Sequence, residues 1–405
     1  MENVAVTGVG AISPFGSGVA AFWNGILGSE PGFVSIADRR ATSGNRLWAA
    51  VPDDFAKGTT VPAAMLRNAD RFTQMALIAT AEALADAKLE SPPALETAVV
   101  LGSTMGGLPL LAETAVSFET ESKRVSPKLM ALVIPNMASA RIALFCGLHG
   151  PQLTISTACA SSLDALGIAA GMIERGEVRV AVAGGVETFL TPLVYESLVK
   201  SGALSRTTDP ARASRPFDVD RDGFVMGEGA AIVVLEHAEH ARKRGAQLLA
   251  YIRGYASIAD AYHLTSPEPR GAYEALAMRR ALEAARLQQA PGVVYAHGTS
   301  TIVGDATEVL AIDNVFAGNG GILVTSLKGH MGHAMAASGA LSVIAGVLGF
   351  ERGTIPHTLG TQRVEPEARF DLVIGAPRRR EFSCFVANAF GFGGQNASLV
   401  VTRSP

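Results

Sequence analysis

Cysteine is nearly absent from this chain: its 405 residues include three, Cys146, Cys159 and Cys384, widely spaced and odd in number. That excludes a disulfide framework, and without a CxxC pair nothing in the spacing points to a zinc site. The first ten residues hold an acidic Glu2 and no basic residue, so they lack the positive start of a secretory leader and read instead as a first strand. No apolar run approaches the roughly 18 residues needed to cross a bilayer. These absences together predict a protein of the reducing cytoplasm, where a lone reactive thiol survives. Positive charge is not in excess either. Lys and Arg number 34 against 37 Asp and Glu, and the formal net charge of −3 argues against general affinity for nucleic acid. No low-complexity tract, flexible linker or strong internal repeat divides the chain.

What is present suits a large, deeply buried α/β protein. Apolar residues make up 48 % of the chain and charged ones 18 %. The length is too great for one small core. Short β-branched runs alternate with longer Ala- and Leu-rich stretches. The pattern predicts strands at 4–8, 98–102, 152–156, 178–183, 231–235, 251–256, 293–296, 323–326, 384–389 and 397–402. It predicts helices at 70–87, 137–146, 160–175, 271–285, 305–316 and 337–349. Helices 160–175 and 337–349 are rich in Ala, Gly and Ser with few charges on any face, which places them inside the protein. A central layer of helices between two sheets accounts for both. The charged stretch 236–244 reads as a surface helix closing a first half, with a boundary near Gly245 and halves of 1–245 and 246–405.

Chemistry-bearing residues collect where strands end. The run Leu153-Thr-Ile-Ser-Thr-Ala-Cys159-Ala-Ser-Ser162 passes from β-branched residues straight into a small-residue helix, so Cys159 falls at a strand-to-helix elbow. Unpaired backbone N–H groups at such a place favour a thiolate and can receive an oxyanion. Spacing alone leaves a buried structural cysteine equally open. Cys146 and Cys384, flanked by Phe145, Phe382 and Phe385, read as structural. His297, in Val293-Val-Tyr-Ala-His297-Gly-Thr-Ser-Thr301, and His333, in Thr325-Ser-Leu-Lys328-Gly-His-Met-Gly-His333, each follow a strand and enter a polar, glycine-containing turn. Either one alone would more often be structural.

Taken in order, these motifs resemble the β-ketoacyl–acyl carrier protein synthases of the type I/II branch. The resemblance is carried by Thr157-Ala-Cys159-Ala-Ser-Ser162, His297-Gly-Thr-Ser-Thr301 followed by Gly304-Asp305, the Lys328…His333 pair, and Gly391-Phe392-Gly-Gly394, and it runs from Val4 to Val400. It implies an α/β, thiolase-like five-layer αβαβα fold made of two similar halves, usually dimeric, with Cys159 from the first half and both histidines from the second. It implies decarboxylative condensation of an acyl thioester with a malonyl-type thioester, in fatty acid or polyketide chain elongation. Cys159 would carry the acyl group, and the backbone N–H groups of Cys159 and Phe392 would form the oxyanion hole. His297 and His333 would donate through Nε2 to the enolate oxygen, with Lys328 organising charge around them, held by Glu308 and Asp305.

The resemblance extends to substrate and partners. Thr299 and Thr301 would meet the phosphopantetheine arm, which arrives on the carrier protein, so no bound cofactor and no metal are required. Met105, with Phe390 and Phe392, would line the acyl site. Arg67, Arg71, Lys123, Arg124 and Lys200 are candidates for docking an acidic acyl carrier protein. The partner subunit would be a second copy or a chain-length-factor-like chain, paired through the strand before Cys159. Three departures stand out: Ser342 where the family has a glutamate nine residues past the second histidine, Gln395 where threonine is usual, and an extra His330, which reads as structural. Two rivals compete. A thiolase needs a second cysteine in the C-terminal glycine-rich loop, and residues 390–396 contain none. A non-catalytic chain-length factor would lack the nucleophile.

Overall fold

The computed structural model describes residues 3–37, 45–317 and 321–405, with the side chains of Ala37 and Asn45 outside the description. One set of strands comprises β1 (Val4–Ser13), β2 (Thr97–Gly102), β3 (Gln152–Ile155), β4 (Val180–Glu187) and β5 (Gly229–His237), ordered β3-β2-β4-β5-β1. The other comprises β6 (Ala250–Ala259), β7 (Val293–Tyr295), β8 (Leu323–Thr325), β9 (Asp371–Leu372), β10 (Cys384–Gly391) and β11 (Gln395–Thr402), ordered β9-β8-β7-β10-β11-β6. The sets join edge to edge where Val4, Ala5 and Val6 of β1 pair with Ile252, Tyr251 and Ala250 of β6.

The two sets share one topology. The first strand of each runs antiparallel to the last, the last antiparallel to its inner neighbour, and the remaining pairs are parallel. No strong sequence repeat announces this. Topology follows the alternation of apolar and polar positions, which tolerates almost any change of residue identity.

Six helices complete the layers: α1 (Arg71–Asp86), α2 (Met137–Cys146), α3 (Ser161–Glu174), α4 (Ala272–Ala285), α5 (Ile302–Phe316) and α6 (Ser338–Arg352). Successive strand residues point to opposite faces, and the cores sort accordingly. Val99 and Leu101 of β2 pack with α1 and α2 on the outside, while Ala98 and Val100 face α3 and α6. In the second set Val386 of β10 packs with α4 and α5, while Phe385 and Ala387 face inward. The result is the five-layer αβαβα, thiolase-like arrangement. Because α3 and α6 lie between two sheets they carry almost no polar face. Residues 335–352 even have the length and composition of a membrane span, yet 89 % of that segment is buried inside the protein.

Some elements differ from expectation. β1 runs on to Ser13, and the strand expected at 178–183 lies at Val180–Glu187. α5 begins at Ile302 because the Thr301 hydroxyl accepts from the Gly304 N–H and caps it. Helix Leu108–Glu121 is an addition to the expected set; Leu108, Leu111, Ala115 and Phe118 recur on it at helical spacing, yet none of its residues is buried and Leu111, Val116 and Phe118 are exposed.

Close approach of α3 and α6 demands small residues. A Cβ on Gly339 would stand 2.7 Å from the Leu163 side chain. Gly339→Val should therefore destabilise the protein by ~2 kcal/mol through overpacking, read as a lowered thermal midpoint; an unchanged midpoint would show that the contact is slack.

Candidate active site

The elbow after β3 is strained into place. Ala158 adopts φ +50, unusual without glycine, and begins a 3-10 turn, Ala158–Ala160, that hands the chain to α3. The Ser161 hydroxyl accepts from the Thr157 N–H at 2.9 Å and donates to the Ala158 carbonyl at 2.7 Å, closing the turn. The passage from β8 to α6 repeats the device. There Met335 has φ +41, opens the 3-10 turn Met335–Ala337, and α6 starts at Ser338. Ala336 thus holds in the second set of strands the place that Cys159 holds in the first. The second crossing also carries an added turn, Lys328–Met331, that delivers Lys328 and, past Gly332, His333.

His333 is anchored from the other half of the molecule. Its N–H donates to the Val225 carbonyl at 2.8 Å and its carbonyl accepts from the Gly227 N–H at 3.0 Å. In the ring, Nδ1 accepts from the Met335 N–H at 3.2 Å and stands 3.0 Å from the Ser338 hydroxyl, while Nε2 lies 3.0 Å from Cys159 Sγ. A backbone amide can only donate, so Nδ1 is unprotonated and the neutral ring carries its proton on Nε2. His297 follows the same logic. Lys328 Nζ donates to the His297 carbonyl and stands 3.4 Å from Nδ1, which leaves the proton on Nε2. The two rings meet edge to face with centroids 5.3 Å apart. The ligating atoms of Cys159, His297 and His333 all lie within 4.8 Å of one another. Residues from three distant stretches of chain meet at one point.

The surroundings are dry, and dryness governs the charges. Burial first, then the Lys328 ammonium, holds both imidazoles well below their usual value, so they stay neutral donors. Burial pushes the Cys159 thiol up to about 11, against the opposing pull of Lys328 and of the N–H groups of Phe392 and Cys159, both directed at the sulfur. The thiolate expected from an elbow position is therefore not the resting form, because desolvation outweighs those N–H groups. Gly391 permits the Phe392 N–H to come this close: a Cβ there would stand 2.9 Å from the Cys159 nitrogen. Phe390 covers the other flank, its ring 6.0 Å from that of His297.

Other expected positions fall out unevenly. Glu308 accepts from the N–H groups of His297 (2.8 Å) and Gly298 (2.6 Å), and Asp305 from those of Phe217 (2.7 Å) and Ser300 (3.0 Å). They brace the histidine turn rather than grip Lys328, whose nitrogen is taken by the His297 carbonyl; they reach the lysine only through charge. Burial pushes Glu308 up and Lys328 down, each opposed by the other. Thr299 and Thr301 sit side by side, hydroxyls 2.9 Å apart, with Thr301 occupied in capping α5. Met105 is 39 % exposed, so within a single chain it floors no enclosed pocket. Arg71 is withdrawn as a docking residue: Glu228 holds it at 2.7 Å and the Val51 carbonyl takes its other edge. Lys123 pairs with Glu121 at 2.7 Å, while Arg67, Arg124 and Lys200 are exposed. His330 packs edge-on against His357, centroids 4.8 Å apart, and Ser342 is buried within α6.

Two features escaped the sequence. Glu187, buried at the end of β4, accepts from the N–H groups of Thr104 (3.0 Å) and Met105 (3.1 Å), and its charge opposes ionisation of Cys159. An acid closing an otherwise apolar strand was the available signal. The second is an apolar cluster of Phe189, Leu204, Phe224, Met226 and Met335 around Cys159, whose members are too scattered in the chain to form a pattern. Cys159, His297 and His333 also match a three-ligand zinc set in type and proximity. Their Nε2 atoms carry protons, however, and a neighbouring ammonium opposes a cation.

Comparison with known proteins accords with this geometry. Residues 1–241 match the family described as Beta-ketoacyl synthase, N-terminal domain, and residues 249–362 the C-terminal domain of the same family. The chain is 38 % identical to 3-oxoacyl-[acyl-carrier-protein] synthase 2 of Vibrio harveyi, with 99 % of each covered. Among solved structures it is similar to a beta-ketoacyl synthase from Burkholderia phymatum, with TM-score 0.92 and 32 % identity over the whole of both chains. It is similar also to the ishigamide ketosynthase/chain length factor, with TM-score 0.91 and 30 % identity, again over the whole of both chains.

The electrostatics yield a pH expectation. Nitrogen-15 spectra should show His297 and His333 neutral and protonated on Nε2 from pH 8 down through 6.5, the ordinary imidazole value; titration at the ordinary value would refute the assignment. Lys328→Met removes the cation that pulls the thiol down, so it should slow alkylation of Cys159 by ~tenfold at fixed pH, followed by mass spectrometry.

Proposed function

The chain belongs to the β-ketoacyl synthase family, and on that footing we propose that it condenses an acyl thioester with a malonyl thioester, each delivered on acyl carrier protein, in fatty acid or polyketide elongation. The supporting observation is the convergence of one thiol and two Nε2–H donors in a buried site beside two backbone N–H groups.

The steps follow from that arrangement. Cys159 Sγ attacks the acyl carbonyl, the thiol proton leaves with the carrier thiol, and the N–H groups of Cys159 and Phe392 hold the intermediate oxyanion. A malonyl thioester then enters. Its C–C bond to the carboxylate breaks, carbon dioxide departs, and the electron pair becomes an enolate whose oxygen is held by His297 and His333. The enolate carbon attacks the acyl-Cys159 carbonyl, the new C–C bond forms as the C–S bond breaks, and the departing Cys159 thiolate takes up a proton from solvent. Neutral donors suit this task, since they stabilise the enolate without protonating its carbon. Lys328 keeps His297 in the required tautomer, and Glu308 and Asp305 fix its backbone. Thr299 and Thr301 take the phosphopantetheine arm. The chemistry calls on no metal or bound cofactor.

Carrier protein would dock on Arg67, Arg124 and Lys200, exposed and free to meet acidic helices, with Lys123 available if its exposed pair with Glu121 opens. A partner subunit, a second copy or a chain-length-factor-like chain, would pair with β3. That strand ends one side of the sheet, and Leu153 on it is 38 % exposed. Phe118 and Leu144 are exposed as well.

Cys159→Ala should abolish acyl loading by carrier-bound substrate while the fold persists; loading retained elsewhere would end the mechanism. His297→Ala or His333→Ala should slow malonyl decarboxylation by ~100-fold, as loss of one oxyanion donor does, and acylation much less. A defect confined to acylation would reverse the assignment. Leu153→Asp should convert a dimer to monomer by light scattering, or release a co-purifying partner; an unaltered assembly would move the interface off β3.

A further inference from the structure

The sulfur of Cys159 is surrounded by groups of two kinds. On its polar side lie His333 Nε2 at 3.0 Å and the N–H groups of Phe392 and Cys159. On its apolar side lie Phe189, Leu204, Phe224, Met226 and Met335, with Met335 Sδ 4.0 Å from Sγ. An acyl group on Cys159 directs its carbonyl oxygen to the N–H groups, and its hydrocarbon chain then has the apolar side to enter. That side is occupied by side chains packed on one another.

These walls are not equally movable. Phe224 is stacked edge-on to the His333 ring, centroids 5.3 Å apart, so displacing it disturbs a catalytic group. Met335 is different. Its backbone is fixed by the amide bond to His333 Nδ1 at 3.2 Å and by a left-handed φ of +41, but its side chain is unbranched and has three rotatable bonds. The residue can keep His333 in register while its thioether moves. From this geometry we infer that Met335 is a specificity-determining residue: its side chain closes the space beside Cys159 Sγ, so the enzyme loads short acyl groups in preference to long ones. The inference rests on the ketosynthase reading given above.

The test is loading of Cys159 from acetyl-, hexanoyl- and dodecanoyl-carrier protein, followed by intact-protein mass spectrometry. The wild-type protein should load acetyl faster than dodecanoyl. Met335→Ala and Met335→Gly should each raise dodecanoyl loading relative to acetyl by ~tenfold or more, the scale on which a closed apolar pocket discriminates. Met335→Phe should depress hexanoyl loading. Glycine also relieves the left-handed backbone, so a failure of the alanine variant to fold leaves the glycine variant to decide. A chain-length ratio unchanged in the enlarged variants overturns the role of Met335. A wild-type protein that takes none of the three acyl groups on Cys159 overturns the ketosynthase reading itself, a result distinguishable from the first.

Discussion

Two hydrogen bonds into imidazole Nδ1 atoms determine what this site can do. The Met335 amide has only a proton to offer His333, and the Lys328 ammonium only protons to offer His297. Each ring is thereby left with its proton on Nε2, facing the sulfur or the space beside it. Burial keeps that state in force, since a second proton would place an unpaired charge in a dry pocket next to an ammonium. Had either ring been flipped or solvated, it would have been a base near neutrality. A pair of fixed neutral donors is what an enolate oxygen requires, because a nearby acid would quench the carbon before it reacts.

The donors in turn depend on contacts between the two halves. His333 hangs from Val225 and Gly227, which belong to the excursion between β4 and β5. The turn that carries His297 is braced by Asp305, whose other partners are the Phe217 N–H and, at 3.8 Å, Arg221 of that same excursion. Arg221 also binds the carbonyls of Thr301 (3.0 Å) and Ile302 (2.7 Å). Buried ions of this kind are poor sources of stability, yet losing one partner leaves the other uncompensated, at a cost of roughly 3–5 kcal/mol. Their arrangement ties the site to correct packing of the halves: until these contacts form, the thiol and the imidazoles belong to separate pieces of structure.

The duplicated crossings after β3 and β8 explain how one fold brings a thiol and an imidazole from distant segments to one point. Each crossing spends a left-handed non-glycine residue to turn sharply into a central helix. The first puts Cys159 at the turn. The second puts Ala336 there, and its added turn brings Lys328 and His333 alongside. Two copies of one device thus face each other across α3 and α6 with different cargo. Small residues in those helices, Gly339 against Leu163 among them, bring the devices within bonding distance.

By itself the sequence determined the α/β class, the buried character of α3 and α6, the residues at the strand ends and, through motifs in order, the family. Those are properties of local pattern: apolar periodicity, small-residue runs, and reactive side chains where strands give out. Which ring nitrogen carries a proton, whether Cys159 rests as thiol, that Glu308 and Asp305 hold backbone rather than lysine, that Arg71 is consumed by Glu228, and that Met335 crowds the sulfur were decided only by tertiary structure. Each depends on what lies within a few ångströms, and those neighbours come from chain segments far apart in sequence. Desolvation is the clearest case, for it is set by everything that surrounds a group and is written in no single stretch of residues.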